Sequence, residues 1–97
     1  MGPEARLERR IADAVHRMDG LFLKQTGMPG IPDRLVIIPD CPPRYIFLEL
    51  KAERGRVSEL QKAALERLHD LGCDARVLRG SDEVTEFIQE LGMMKHA

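Results

Sequence analysis

Three side chains stand out for the chemistry they could do together: Asp33, Glu49 and Lys51. Asp33 opens the apolar run DRLVIIP after Gly30-Ile31-Pro32, and Glu49 and Lys51 lie inside YIFLELKA, a run otherwise almost wholly apolar. Both runs predict strands, whose side chains alternate from face to face. Tyr45, Phe47, Glu49 and Lys51 then share one face, and Ile46, Leu48, Leu50 and Ala52 share the other. A carboxylate within a hydrophobic strand costs stability unless a partner, a hydrogen bond or a metal compensates it. Asp33 and Glu49 could supply that compensation jointly by holding a divalent cation between adjacent strands, since magnesium takes a few hard oxygen ligands and keeps waters. Lys51, about 6.5–7 Å along the strand from Glu49, is placed to orient or help deprotonate an attacking water and to neutralise charge growing on a phosphate. This is the chemistry of metal-assisted phosphodiester hydrolysis. Residue types and spacing leave a second reading open: Glu49 paired with Lys51 or an arginine at a sheet edge, with Asp33 capping a turn.

The elements that must position these residues follow from the pattern of apolar positions. Leu7, Ile11, Ala14, Val15 and Met18 recur at helical spacing and predict an amphipathic helix over 4–18, with Pro3 at its start and Gly20 just past its end. Its arginines, Arg6, Arg9, Arg10 and Arg17, fall mostly on the polar side. A short strand over 21–25 leads into TGMPGIP, a Gly- and Pro-rich loop in which Pro32 keeps the approach to Asp33 extended. Residues 34–38 form the next strand, and PDCPP turns the chain back into the Glu49 strand, so these two pair antiparallel. Ser58 followed by Gln61 is a capping-box signature for a helix over 58–71, with Leu60, Ala64, Leu68 and Leu71 on its apolar side and Gly72 ending it. A fourth strand over 73–78 then lies parallel to the Glu49 strand, because a strand–helix–strand crossover places it so. Ser81 or Asp82 caps a last helix carrying Val84, Phe87, Ile88 and Leu91, and residues 93–97 form a frayed tail.

Ninety-seven residues make one domain, 1–97, with a modest core. No apolar stretch approaches the ~20 residues of a membrane span, and no export signal precedes Pro3 and Glu4. Cys41 and Cys73 are isolated, as expected of free thiols in a reducing compartment. His16, His69 and His96 lack metal-ligand spacing, and the first two read as helix surface. The formal net charge of −1 offers no general attraction to nucleic acid. Its distribution is uneven: residues 1–62 carry 11 Lys/Arg against 9 Asp/Glu, and residues 63–97 carry 4 against 7. A phosphate-binding surface is therefore expected from the first two-thirds of the chain.

The ordered set Gly30-Ile31-Pro32-Asp33, Phe47-Leu48-Glu49-Leu50-Lys51, Gly55 and Gln61 resembles the VRR-NUC branch of the PD-(D/E)XK nuclease superfamily. Lys24 to Gly27 and the LRGSDE segment also match, so the likeness spans nearly the whole chain. The resemblance implies an α/β, restriction-endonuclease-like core: a small mixed β-sheet flanked by helices in the order α-β-β-β-α-β-α. It implies Asp33, Glu49 and the Leu50 backbone carbonyl as ligands of Mg2+ or Mn2+, Lys51 as the catalytic lysine, and Gln61 beside the site. Glu8, with Glu4 as the other candidate, would be the acid of the first helix. Lys24, Arg34, Arg54, Arg56, Arg9 and Arg10 are the cations expected to meet DNA. Stand-alone members of this kind look like viral or prophage nucleases related to Holliday-junction resolvases. The implied function is thus a homodimeric endonuclease acting on branched DNA in the cytoplasm of a bacterial host, without a small-molecule cofactor or a membrane. The rival readings are a non-catalytic, structure-selective DNA-binding protein, a flap or restriction-like endonuclease with the same metal site, and a structural or interaction protein.

Overall fold

The first helical stripe is buried as its spacing requires. In a computed structural model that describes residues 2–94, helix α1 (Pro3–Arg17) sinks Leu7, Ile11, Ala14 and Val15 into the core. The chain continues through β1 (Leu21–Lys24), β2 (Arg34–Ile38), β3 (Arg44–Lys51), α2 (Glu59–Asp70), β4 (Asp74–Arg79) and α3 (Gly80–Met94). This is the expected element order. The four strands form one mixed sheet in the order β1-β2-β3-β4, with β1–β2 and β2–β3 antiparallel and β3–β4 parallel.

Alternation along β3 divides the molecule into layers. Ile46, Leu48 and Leu50 face a core shared with Val36 and Ile38 of β2, Leu78 of β4, and the inner sides of α1 and α3. Glu49 and Lys51 therefore face the other side, which α2 overlies beside β4. That second layer is incomplete. Of the stripe expected on α2, Leu68 alone is buried, while Leu60 and Leu71 are exposed, because α2 packs mainly on the edge strand β4. Leu21, Leu23 and Tyr45 on the uncovered part of the sheet are exposed as well.

The α2 N-terminus is as the sequence predicts. Ser58 Oγ accepts from the Gln61 backbone N–H at 3.1 Å, and Gln61 Oε1 accepts from the Ser58 N–H at 2.9 Å. Losing such a cap costs about 1 kcal/mol, so Ser58→Ala should lower the unfolding free energy by that amount in urea titrations. A loss within ~0.3 kcal/mol would mean that packing alone holds the start of α2. The last helix departs from expectation. It begins at Gly80, with no intervening residue after β4, and Glu83 reaches back to accept from the Arg79 N–H at 2.9 Å, so neither Ser81 nor Asp82 is the cap. The helix also runs through Met94, so Met93 and Met94 are helical rather than tail, and 95–97 lie outside the described residues. His69, expected to be plain helix surface, has Nε2 2.7 Å from the Ala75 carbonyl oxygen and ties α2 to β4.

Candidate active site

The antiparallel register decides whether Asp33 and Glu49 can meet. Arg34 pairs with Leu48, and one step outward along the same ladder sets Asp33 across from Glu49. Opposed residues on neighbouring strands have Cβ atoms ~4.5–5.5 Å apart, so the two carboxylates share one side of the sheet. The corner before Asp33 is tied on both sides. Gln25 donates its backbone N–H to the Asp33 carbonyl at 2.8 Å and its side-chain amide to the Pro32 carbonyl at 3.3 Å. Gly30, at φ +87°, lies against the start of α2, where an added Cβ would stand 2.8 Å from the Leu60 carbonyl oxygen. No other residue takes that conformation in that space without strain.

Glu49 is the one buried charged residue among those described, at 8 % exposure. Burial pushes its carboxyl above the usual carboxylate range, and the negative charge of Asp33 pushes the same way; Lys51 and the Asp33 backbone amide pull it partly back. Lys51 Nζ stands 3.6 Å from Glu49 Oε2, making the pair inferred from their shared face. The site thus has two neighbouring carboxylates, one of them buried, each beside a cation.

A divalent cation held by both would offset their mutual repulsion. Among the described residues no group of three or more His, Cys, Asp or Glu side chains converges, so any ion here takes two carboxylates, a backbone carbonyl such as that of Leu50, and waters. This donor set suits magnesium, which keeps several waters, and does not suit a structural zinc site. The pH dependence follows from the sign of the shift. A carboxyl raised above its unfolded value contributes stability below its ordinary value and loses it as pH rises through the raised one. Without metal, Glu49→Gln should therefore melt a few degrees above the wild type at pH 8, and the gap should close by pH 4. Magnesium at ten times Kd should stabilise the wild type by about 1.4 kcal/mol and so raise its melting temperature, and should leave Glu49→Gln unchanged. Equal responses of the two proteins to magnesium would remove Glu49 from the ligand set.

The remaining residues divide by position. Glu8 reaches the corner through Arg34, whose Nε and Nη2 each lie 2.9 Å from Glu8 Oε1 and whose Nη1 lies 3.2 Å from Asp33 Oδ2. The hydrogen bond to Glu8 is the main cause that raises the Arg34 pKa further. Arg34, expected as a DNA contact, is thus a link between the two acids, with its side chain 11 % exposed. Gln61 gives its amide oxygen to the α2 cap, and its amide nitrogen is not part of that cap. Arg10 is held between α1 and α3 by Ser81 Oγ at 2.9 Å and Thr85 Oγ1 at 2.7 Å. Arg9, Lys24, Arg54 and Arg56 are exposed. Two cations the sequence did not single out are Arg79, the partner of Lys51 in the parallel β3–β4 register, and Lys62, which shares a hollow with Arg79. The crossover reading contained the signal for Arg79, since it predicts a parallel neighbour for Lys51.

An acid at the mouth of one strand, Glu-x-Lys on the next, and this order of elements form the arrangement of the PD-(D/E)XK nuclease superfamily. Within it, the chain belongs to the VRR-NUC domain family, whose model matches residues 4–82. A solved structure described as a VRR-NUC domain superposes with a TM-score of 0.78 at 28% identity, covering 92% of this chain and 97% of that one. "Putative nuclease p44" of Acyrthosiphon pisum secondary endosymbiont phage 1 is 32% identical over 81 residues, covering 81% of this chain and 85% of that protein. Family and relative together support a nuclease.

Proposed function

We propose that the chain is a divalent-metal-dependent DNA endonuclease, selective for branched DNA such as Holliday junctions and active as a homodimer in the cytoplasm of a bacterial host. The observation that carries the catalytic reading is the buried Glu49 facing Asp33, with Lys51 at 3.6 Å. Asp33, Glu49 and the Leu50 carbonyl would hold Mg2+ or Mn2+, with Glu8 entering the set if Arg34 releases it. Bound there, the ion supplies Lewis-acid polarisation of the scissile phosphate and acidifies the attacking water. Lys51 orients that water and stabilises negative charge growing on the phosphate. Arg34 holds Asp33 in place, and the Gln61 amide nitrogen can donate to a phosphate oxygen.

The homodimer draws support from the half-covered sheet. Leu21, Leu23 and Tyr45 are apolar surface that a second copy would bury, and two-fold symmetry matches a substrate cut at paired positions. A near-neutral domain of this size favours reading DNA shape and backbone over base sequence. The test is a panel of four-way junction, flap, splayed arm and plain duplex, each with chelator, Mg2+ or Mn2+. Metal-dependent, symmetrically paired cuts in the four-way junction are expected, with weaker cutting of plain duplex. Junction binding with no cleavage in either metal would overturn the enzyme in favour of a binding protein, and preferred cutting of the flap would overturn the junction selectivity.

A further inference from the structure

We propose that Arg56, Lys62 and Arg79 form a binding subsite for a backbone phosphate of the nucleic acid, beside Lys51 and separate from the carboxylate pair. The proposal rests on the nucleic-acid reading above and adds to it where the strand is gripped. The hollow is lined by Gly55, Arg56, Val57, Lys62 and Arg79, so three of its five residues are cations and none is an acid. They come from three elements: the loop after β3, the first turns of α2, and the end of β4. In a chain with net charge −1, that convergence is a local excess of positive charge.

The register ties this hollow to the catalytic residues. Arg79 pairs with Lys51 across parallel strands, and neighbouring strands run ~4.8 Å apart. Arg79 Nε donates to the Gly55 carbonyl at 3.0 Å, which fastens the loop to β4. Gly55 in turn lies on the stem of the lysine: an added Cβ would stand 2.9 Å from Lys51 Cβ. Its lack of a side chain is what lets the loop pass this close to Lys51 just before Arg56. Across this side of the sheet the charges therefore run from Asp33 and Glu49, through Lys51, to Arg79, Arg56 and Lys62. A strand whose scissile phosphate lies between the carboxylates and Lys51 places a neighbouring phosphate at the hollow.

Competing carboxylates are few. Glu59 pairs with Lys62 at 3.2 Å, but its side chain is 91 % exposed, so a phosphate can displace it readily. Arg79 also borders a second hollow at the start of α3 with Glu53, Asp82 and Glu83, and there Glu83 is occupied by the Arg79 backbone amide. Among the described residues Arg56 has no ion-pair partner.

The experiment measures binding of a fluorescent four-way junction in EDTA, across a salt series, for the wild type, R56A/K62A and R44A. Each phosphate contact contributes ~0.7–0.9 to the slope of log K against log salt. The double variant should lose about 1.5 from that slope and bind roughly 10-fold more weakly at moderate salt. In cleavage with Mg2+ its KM should rise while kcat stays near the wild-type value. R44A removes a cation held by Asp40 3.0 Å away at the far end of β3, and should leave the slope unchanged. A double variant matching the wild type in affinity and slope, while the wild type cleaves DNA, overturns the subsite and leaves the nuclease reading standing. An equal loss in R44A also overturns it, because only net charge would then matter. A slope loss in the double variant when the wild type binds but cleaves nothing supports the subsite and overturns the nuclease reading. No DNA binding by the wild type overturns both.

Discussion

Asp33→Asn should reduce metal-dependent cleavage by about 10³-fold or more, and Lys51→Ala by about 10²–10³-fold, with both variants folded. The aspartate is the clean test because its side chain is 52 % exposed. Asn keeps its size and removes one of the two charges that would hold the ion. Its loss also relieves Glu49 of a neighbouring negative charge, so the apo protein should be no less stable than the wild type. Lys51→Ala acts differently. It deprives the buried Glu49 of its nearest cation, so cleavage falls and the apo protein melts lower. Cleavage rates at saturating Mg2+, set beside melting curves, separate the two effects. Wild-type cleavage by a folded Asp33→Asn would remove this corner from the chemistry, and the nuclease reading would need another site.

The second large effect concerns stability. Phe87 is 2 % exposed in the core that α3 shares with α1 and the sheet, and the Arg76 guanidinium carbon lies 5.4 Å from its ring centre. Phe87→Ala opens a cavity there and should cost ~3–5 kcal/mol, a large part of the ~5–15 kcal/mol that holds a domain folded. At ~4–8 °C per kcal/mol for a domain of up to about 100 residues, the melting temperature should fall by about 15 °C or more. Leu60→Ala should cost no more than ~0.5 kcal/mol in the monomer, because Leu60 is 57 % exposed. Both residues sit on apolar stripes at helical spacing, and only the packing tells them apart. Denaturant titration at low protein concentration compares the two, and equal costs would mean that the outer side of α2 is covered in solution.

That contrast marks the division between local and long-range information. Periodicity within one segment is a local property, so alternation in YIFLELKA was enough to set Glu49 and Lys51 on one side of β3, and the structure keeps them there at 3.6 Å. The Ser58–Gln61 capping box is local too, and it forms as the spacing predicts. The element order and mixed sheet follow from short connections and one crossover. What the sequence left open depended on register and on which faces find cover. The β2–β3 ladder sets Asp33 opposite Glu49, a choice made by every pair along both strands together. The parallel β3–β4 ladder places Arg79 beside Lys51 from 28 residues further along the chain. Arg34, adjacent to Asp33 in sequence, points with Leu48 toward the α1 side and so meets Glu8. Helix α2 packs mainly on the edge strand β4, which covers too little of its apolar stripe and leaves Leu60 and Leu71 in solvent. The residues that could do the chemistry were legible in the chain, because their types and local spacing define them. How they are charged, braced and flanked was decided by the tertiary structure, because electrostatics and burial depend on neighbours that sequence separation does not reveal.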